Sequence, residues 1–323
     1  PIGYNLTEKS IGFLQEILAH SGALNKLSFR IANNNNFFTP LIFCVSNAIK
    51  TQQKLDELSL DLTGWTKVSI ENHFHSRPTL QRTDLTEESR ILQEALLSLH
   101  HIRSLSLIFT KSPYMTDSSV EILTEAIRSL LSLERLHLNY QSSYEITDDS
   151  LKAIGLAIDA LKGLYYLDLD FRFCKSITDK GIMYLRRGLG SLNLLLELNI
   201  SLDGCPRLSD DCLTHLSESF WGMSRLRQLA LTFEKCYPMT NEGVRSLTKA
   251  MKSLTRLQGL ELNFVNCYRI NDEGLRRIQE AVSSLKKLTR IVLDLQFCSK
   301  ITESQLNSAK AELKHLPYVR INF

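Results

Sequence analysis

The chain has 323 residues, of which 43% are hydrophobic and 23% charged, a balance ordinary for a water-exposed folded protein. Its formal charge of +3, from 38 Lys plus Arg against 35 Asp plus Glu, is too small to argue for a nucleic-acid partner. No apolar run reaches the ~20 residues of a membrane span, and Pro1 to Ser10 is too polar for a signal peptide.

In chain order, the first expected element is a helix from Leu6 to Leu18, followed by a short strand around Leu27 with Lys26 and Arg30 on it. A polar loop at Asn33 to Asn36 leads to a second helix and a second strand around Leu58, 31 residues after Leu27. The next strand, around Leu105, comes 47 residues later, an excess of 16 over that step. The excess falls within residues 63–82, which include Trp65, Val68, Ile70, His73, Phe74, His75, Arg77 and Pro78. A regular array has no internal need for such an insertion, and loops that break a scaffold often carry function. Trp65, His73, His75 and Arg77 are therefore candidate contact residues on a hairpin-like flap. Two alternating histidines without a nearby acid or thiol do not make a metal site.

From Leu105 the spacing is strict. Leu136, Leu167, Leu198, Leu229, Leu260 and Ile291 follow at intervals of 31, and Val319 closes the series after 28, giving ten strands in all. Around Leu167 the pattern is Leu164-Tyr165-Tyr166-Leu167-Asp168-Leu169-Asp170-Phe171, whose alternation is that of a half-buried strand. We call the residue at this position the marker. Four residues after it stand Phe109, Tyr140, Phe171, Leu202, Phe233, Phe264, Leu295 and Phe323, an expected aromatic spine. Seven after it come Ser112, Ser143, Cys174, Cys205, Cys236, Cys267 and Cys298, and ten after it Met115, Ile146, Ile177, Leu208, Met239, Ile270 and Ile301. Helix starts follow at Thr147-Asp148, Thr178-Asp179, Ser209-Asp210, Thr240-Asn241 and Asn271-Asp272. A Thr, Ser or Asn there can cap free amides, and the acid suits the positive end of the helix dipole. Apolar residues such as Ile182, Leu185, Leu189 and Leu192 then recur at helical spacing. Each unit is strand, loop, helix.

The stretch Cys174-Lys175-Ser176-Ile177-Thr178-Asp179-Lys180-Gly181-Ile182 resembles the C-x-x-I-T-D-x-G-L signature of cysteine-containing leucine-rich repeats. The 31-residue length exceeds that subfamily's usual repeat and approaches the ribonuclease-inhibitor-like one. The resemblance implies an α/β fold: a right-handed leucine-rich-repeat solenoid, or horseshoe. Parallel strands would lie on its concave side, helices on its convex side, in one domain of about ten repeats spanning residues 1–323. A column of one thiol per repeat does not converge on a metal, so small buried residues aiming S–H at backbone carbonyls are expected, as are packing roles for Cys44 and Cys212. Seven cysteines with no disulfide framework imply a reducing, cytoplasmic compartment.

No phosphate-cradling loop, nucleophile elbow or zinc-protease helix is present, so the expectation is a non-catalytic scaffold without cofactor or metal that binds another protein. Its surface would be the outward side of the strands: Arg135, His137, Tyr166, Asp168, Asp170, Glu197, Asn199 and Glu261, an acidic and polar centre. Lys26, Arg30, Arg290 and Arg320 make the flanks more basic. A second reading is a structural protein that self-associates end to end, or docks on a cytoskeletal assembly, through uncapped ends: an ordinary repeat helix at Leu6 to Leu18 and a strand finishing at Phe323. A third, implied by the resemblance, is the substrate-recognition part of a ubiquitin ligase.

Overall fold

A computed structural model describes Glu16 and residues 24–30, 38–52, 54–65, 68–70, 80–82 and 85–323. Ten strands form one open parallel sheet, in the order β1 (Lys26–Arg30), β2 (Glu57–Asp61), β5 (Ser104–Ile108), β6 (Arg135–Asn139), β7 (Tyr166–Asp170), β8 (Glu197–Ser201), β9 (Gln228–Thr232), β10 (Gly259–Asn263), β11 (Arg290–Asp294) and β12 (Tyr318–Asn322). The register is that of the sequence period: Leu27 pairs with Leu58, Leu58 with Leu105, and so on to Ile291 with Val319. A helix follows each strand from β5 to β11, for instance Asp148–Ala160 after β6 and Asp179–Gly190 after β7. Helices are about 10 Å wide while paired strands lie ~4.8 Å apart, so the helix layer fans out and the strand layer forms the inner, concave side.

The core lies between the two layers. The marker column and the one two residues on are buried from Leu58 to Leu293. So is the spine from Phe109 to Leu295, where Phe109, Tyr140 and Phe171 stack at ring-centroid distances of 5.3 and 6.0 Å. Leu202 interrupts the stack before Phe233 and Phe264 resume it at 5.5 Å. Phe323 departs from the expected spine: it is 49% exposed, because β12 has a strand on one side only.

The loops repeat as closely as the strands. Six residues after the marker, Lys111, Ser142, Phe173, Lys235, Asn266 and Phe297 all adopt a left-handed backbone with φ between 56° and 63°. Gly64 and Gly204 fill the same slot in two other copies. At each helix start from Asp117 onward the cap works within the repeat, as in Thr178, which accepts from the Lys180 amide. The acid beside it works between repeats, a role sequence reading missed. Asp148 accepts from the Thr178 amide at 2.8 Å and its hydroxyl at 2.7 Å, and Asp179 takes Ser209 in the same way. The ladder continues through Asp117, Asp210 and Asp272.

The insertion is a hairpin in its backbone: β3 (Val68–Ile70) pairs antiparallel with β4 (Leu80–Arg82), while β2 pairs directly with β5 past it. Trp65 corrects its expectation. It is fully buried and stacks on Phe109 at 5.3 Å, starting the aromatic spine rather than serving as a contact residue. The reason is its place seven residues after Leu58, in the column that elsewhere holds the inward Ser or Cys. His73, His75 and Arg77 lie outside the described residues.

Candidate functional site on the strand face

Three outward columns line the concave side: the residues one before, one after and three after each marker. In the middle of the sheet they bring four of the expected residues together. The Arg135 guanidinium lies over the Tyr166 ring, 4.1 Å from its centroid, and 5.7 Å from that of Tyr165. A flat cation over an aromatic face is held electrostatically, so the pair presents one fixed surface. The Tyr166 hydroxyl donates to Asp168 Oδ2 at 3.1 Å. Burial and then the neighbouring Asp168 charge push the Tyr166 phenol above its ordinary pKa, so it stays a donor. Asp168 also faces His137 Nε2 at 3.9 Å, and Ser106 Oγ meets His137 Nδ1 at 3.1 Å.

Ser106 was absent from the expected surface. Its signal was available, since it stands 31 residues before His137 in the same column. The order Ser106, His137, Asp168 has the residue types of a hydrolytic triad, but it spans three adjacent paired strands. The strand amides beside it are taken up by the parallel ladder and do not form a pocket for a developing oxyanion. The arrangement is a hydrogen-bonded polar row along the strand face.

Asp170 does not belong to the surface. It is only 5% exposed and ends its strand by accepting from the Arg172 amide at 3.0 Å. The Arg172 guanidinium closes on it at 2.6 Å, and Asn139 Nδ2 donates to it at 3.0 Å. Asp61, Asn139, Asn263 and Asp294 make the same turn at the ends of their strands. These five members of the column are strand terminators whose side chains accept from the backbone.

The open acids are Asp168 and Glu197 on adjacent strands, with Asn199 beside them. Glu261 lies two strands beyond β8, across from Ala230 and Val292, and is separate from that cluster. The basic flank at the start of the sheet is neutralised: Lys26 pairs with Glu57 at 2.7 Å and Arg30 with Asp61 at 3.0 Å.

No family model matches the chain, and no curated protein matches it significantly. The site therefore has to be read from its own chemistry. The described residues include no group of three or more His, Cys, Asp or Glu side chains fit to hold a metal ion. The cysteine column points instead at the backbone. Cys174 Sγ donates to the Tyr140 carbonyl at 3.1 Å, Cys205 to Phe171 at 3.3 Å and Cys298 to Phe264 at 3.2 Å, and Ser143 Oγ makes the same bond to Phe109 at 3.0 Å. Burial pushes these thiols up, Cys174 to about 12 and Cys298 to about 11, which keeps them protonated and unreactive. Cys44 and Cys212 are buried in helices. Among the described residues no helix is long and apolar enough to cross a membrane.

Proposed function

We propose that the chain is a leucine-rich-repeat scaffold, working in the cytoplasm, that binds another protein without catalysing a reaction. Its contact surface is the concave row Arg135, His137, Tyr166, Asp168, Glu197 and Asn199, and the partner contributes a basic or polar segment. The observation that carries this reading is the order of that surface before any partner arrives. Arg135, Tyr166, Asp168, His137 and Ser106 hold one another across three strands by a cation–π contact, hydrogen bonds and a close charge contact. Binding to a rigid patch avoids the cost of immobilising flexible side chains, about 0.5–1.5 kcal/mol for each. Asp168 and Glu197 leave net negative charge at its centre, which suits a cationic group. Seven buried cysteines that form no disulfide support the compartment.

The test compares the wild-type chain with the double variant Asp168→Lys, Glu197→Lys, each immobilised and used to capture partners quantified by mass spectrometry. Proteins held by the wild type and lost from the variant should rebind the wild type when purified. Equal capture by both, with unchanged thermal stability, would place the binding surface elsewhere.

A further inference from the structure

On the edge of the molecule where the strands end, eight and nine residues after each marker, two more columns run along the loops. Their residues are Tyr144-Glu145, Lys175-Ser176, Pro206-Arg207, Tyr237-Pro238, Tyr268-Arg269 and Ser299-Lys300 in successive copies. From Lys175 onward these columns hold four cations and no carboxylate. Lys175, Arg207, Arg269 and Lys300 are exposed, and none forms an ion pair among the described residues. Other exposed cations of the chain are paired, such as Arg186 with Glu218, Arg245 with Glu242 and Arg276 with Glu273, while others stand single on the helix side, such as Arg256 and Lys286; what sets these four apart is that they share one line of loop columns. The two loop acids on the Arg207 side are already engaged, and Glu145 stands exposed only at the far end, before Lys175. Glu234 is bonded to Lys235 at 2.6 Å, and Asp203, largely buried, accepts from the Glu234 amide at 2.6 Å.

Between Arg207 and Arg269 stand Tyr237 and Tyr268, 42% and 44% exposed. Their rings stack on each other at 5.6 Å with an interplanar angle of 5°. The loops that carry them are locked in register, as in the Lys235 amide donating to Val265 at 2.9 Å and the Asn266 amide to Gln296 at 2.9 Å. The ledge is thus a rigid line of positive charge around a two-ring apolar step.

We propose that this ledge binds an extended acidic segment of a partner protein, with carboxylates on Arg207, Arg269 and Lys300 and an apolar side chain against the edges of Tyr237 and Tyr268. Charge complementarity chooses the sign of the partner. Ring geometry chooses its class: a single-stranded nucleic acid binds such proteins by stacking bases on open aromatic faces. Here the inner faces of both tyrosines cover each other at 5.6 Å, so no base can enter between them, and the neighbouring copies hold Pro206 and Ser299 in the same column, so the pair does not continue as a run of rings for successive bases. The ledge is separate from the strand face and of opposite charge, so this inference stands apart from the reading above.

The experiment is fluorescence anisotropy with a short labelled peptide of alternating glutamate and leucine, run beside its lysine–leucine counterpart and a labelled oligothymidylate. The acidic peptide should bind and the lysine peptide should not. Binding should weaken steeply as salt is raised, because exposed charges are screened. The variant Arg207→Ser, Arg269→Ser, Lys300→Ser should weaken it about tenfold, since three exposed pairs contribute modestly each. Asp168→Lys, Glu197→Lys should leave it unchanged. No binding of the acidic peptide, or equal binding by the triple variant, would overturn the proposal. So would tighter binding of oligothymidylate that is lost in the same variant, which would assign the ledge to nucleic acid.

Discussion

Lys111 occupies a backbone state that suits glycine. Its φ is 56°, its side chain is exposed, and two other copies of the same slot hold Gly64 and Gly204. A side chain there costs roughly 1–2 kcal/mol, while a glycine costs about 0.5–1 kcal/mol in added freedom of the unfolded chain. Lys111→Gly should therefore raise stability by about 0.5–1 kcal/mol in urea denaturation, and a loss of stability would show that the strain is relieved by something other than backbone freedom. Tyr140 is the second residue with a stated cost. Its ring belongs to the spine, but its hydroxyl is fully buried and finds no hydrogen-bond partner among the described residues. Removing a buried, unpaired polar group gives back its desolvation penalty, about 1–3 kcal/mol. Tyr140→Phe should keep the ring stack and shift the midpoint upward; a clear downward shift would mean that a bound water or partner satisfies the hydroxyl.

At the scale of the element, helix starts join neighbouring repeats. Asp179 accepts from both the amide and the hydroxyl of Ser209, 30 residues later, while Ser209 caps its own helix. Removing that carboxylate strands a part-buried amide and a hydroxyl, so Asp179→Ala should cost about 2–3 kcal/mol. Asp149 is also a first-turn acid, but its carboxylate makes no bond among the described residues, and Asp149→Ala should change stability by only about 0.3–1 kcal/mol through the helix dipole. Equal effects would reduce both acids to dipole partners, which is how the sequence alone presents them. The sequence shows that Thr and Asp recur together. It does not show that the Asp reaches the next copy, because that depends on how closely the helices approach. They approach very closely at Gly188, where an added Cβ would lie 2.3 Å from the Gly155 carbonyl oxygen.

For the whole molecule, one period decided what was legible. A strict step of 31 fixes strand register, core columns and the inward thiols, because parallel strands in register turn a sequence interval into a line in space. Asp170 and Trp65 were misread for the same reason: alternation gives the side of the strand but not its end, where a turn buries an outward residue, and an insertion hides which column a residue belongs to. The same one-dimensional construction predicts how stability is distributed. Each repeat is held by its neighbours, so strands with two partners should open less readily than strands with one. β6 to β10 are sealed on both sides, whereas among the described residues β1 and β12 pair once, and Val319 and Ile321 in β12 are only partly buried where their counterparts Leu260 and Leu262 in β10 are fully covered. Hydrogen exchange followed by mass spectrometry should find the slowest amides in β6 to β10, with exchange rising outward and fastest in β1 and β12. The Asp–Thr ladder should set the steepness of that gradient, and Asp179→Ala should speed exchange mainly in the two repeats it joins, β7 and β8. Uniform protection across all ten strands, unchanged by that substitution, would instead mean that the array opens as one cooperative unit.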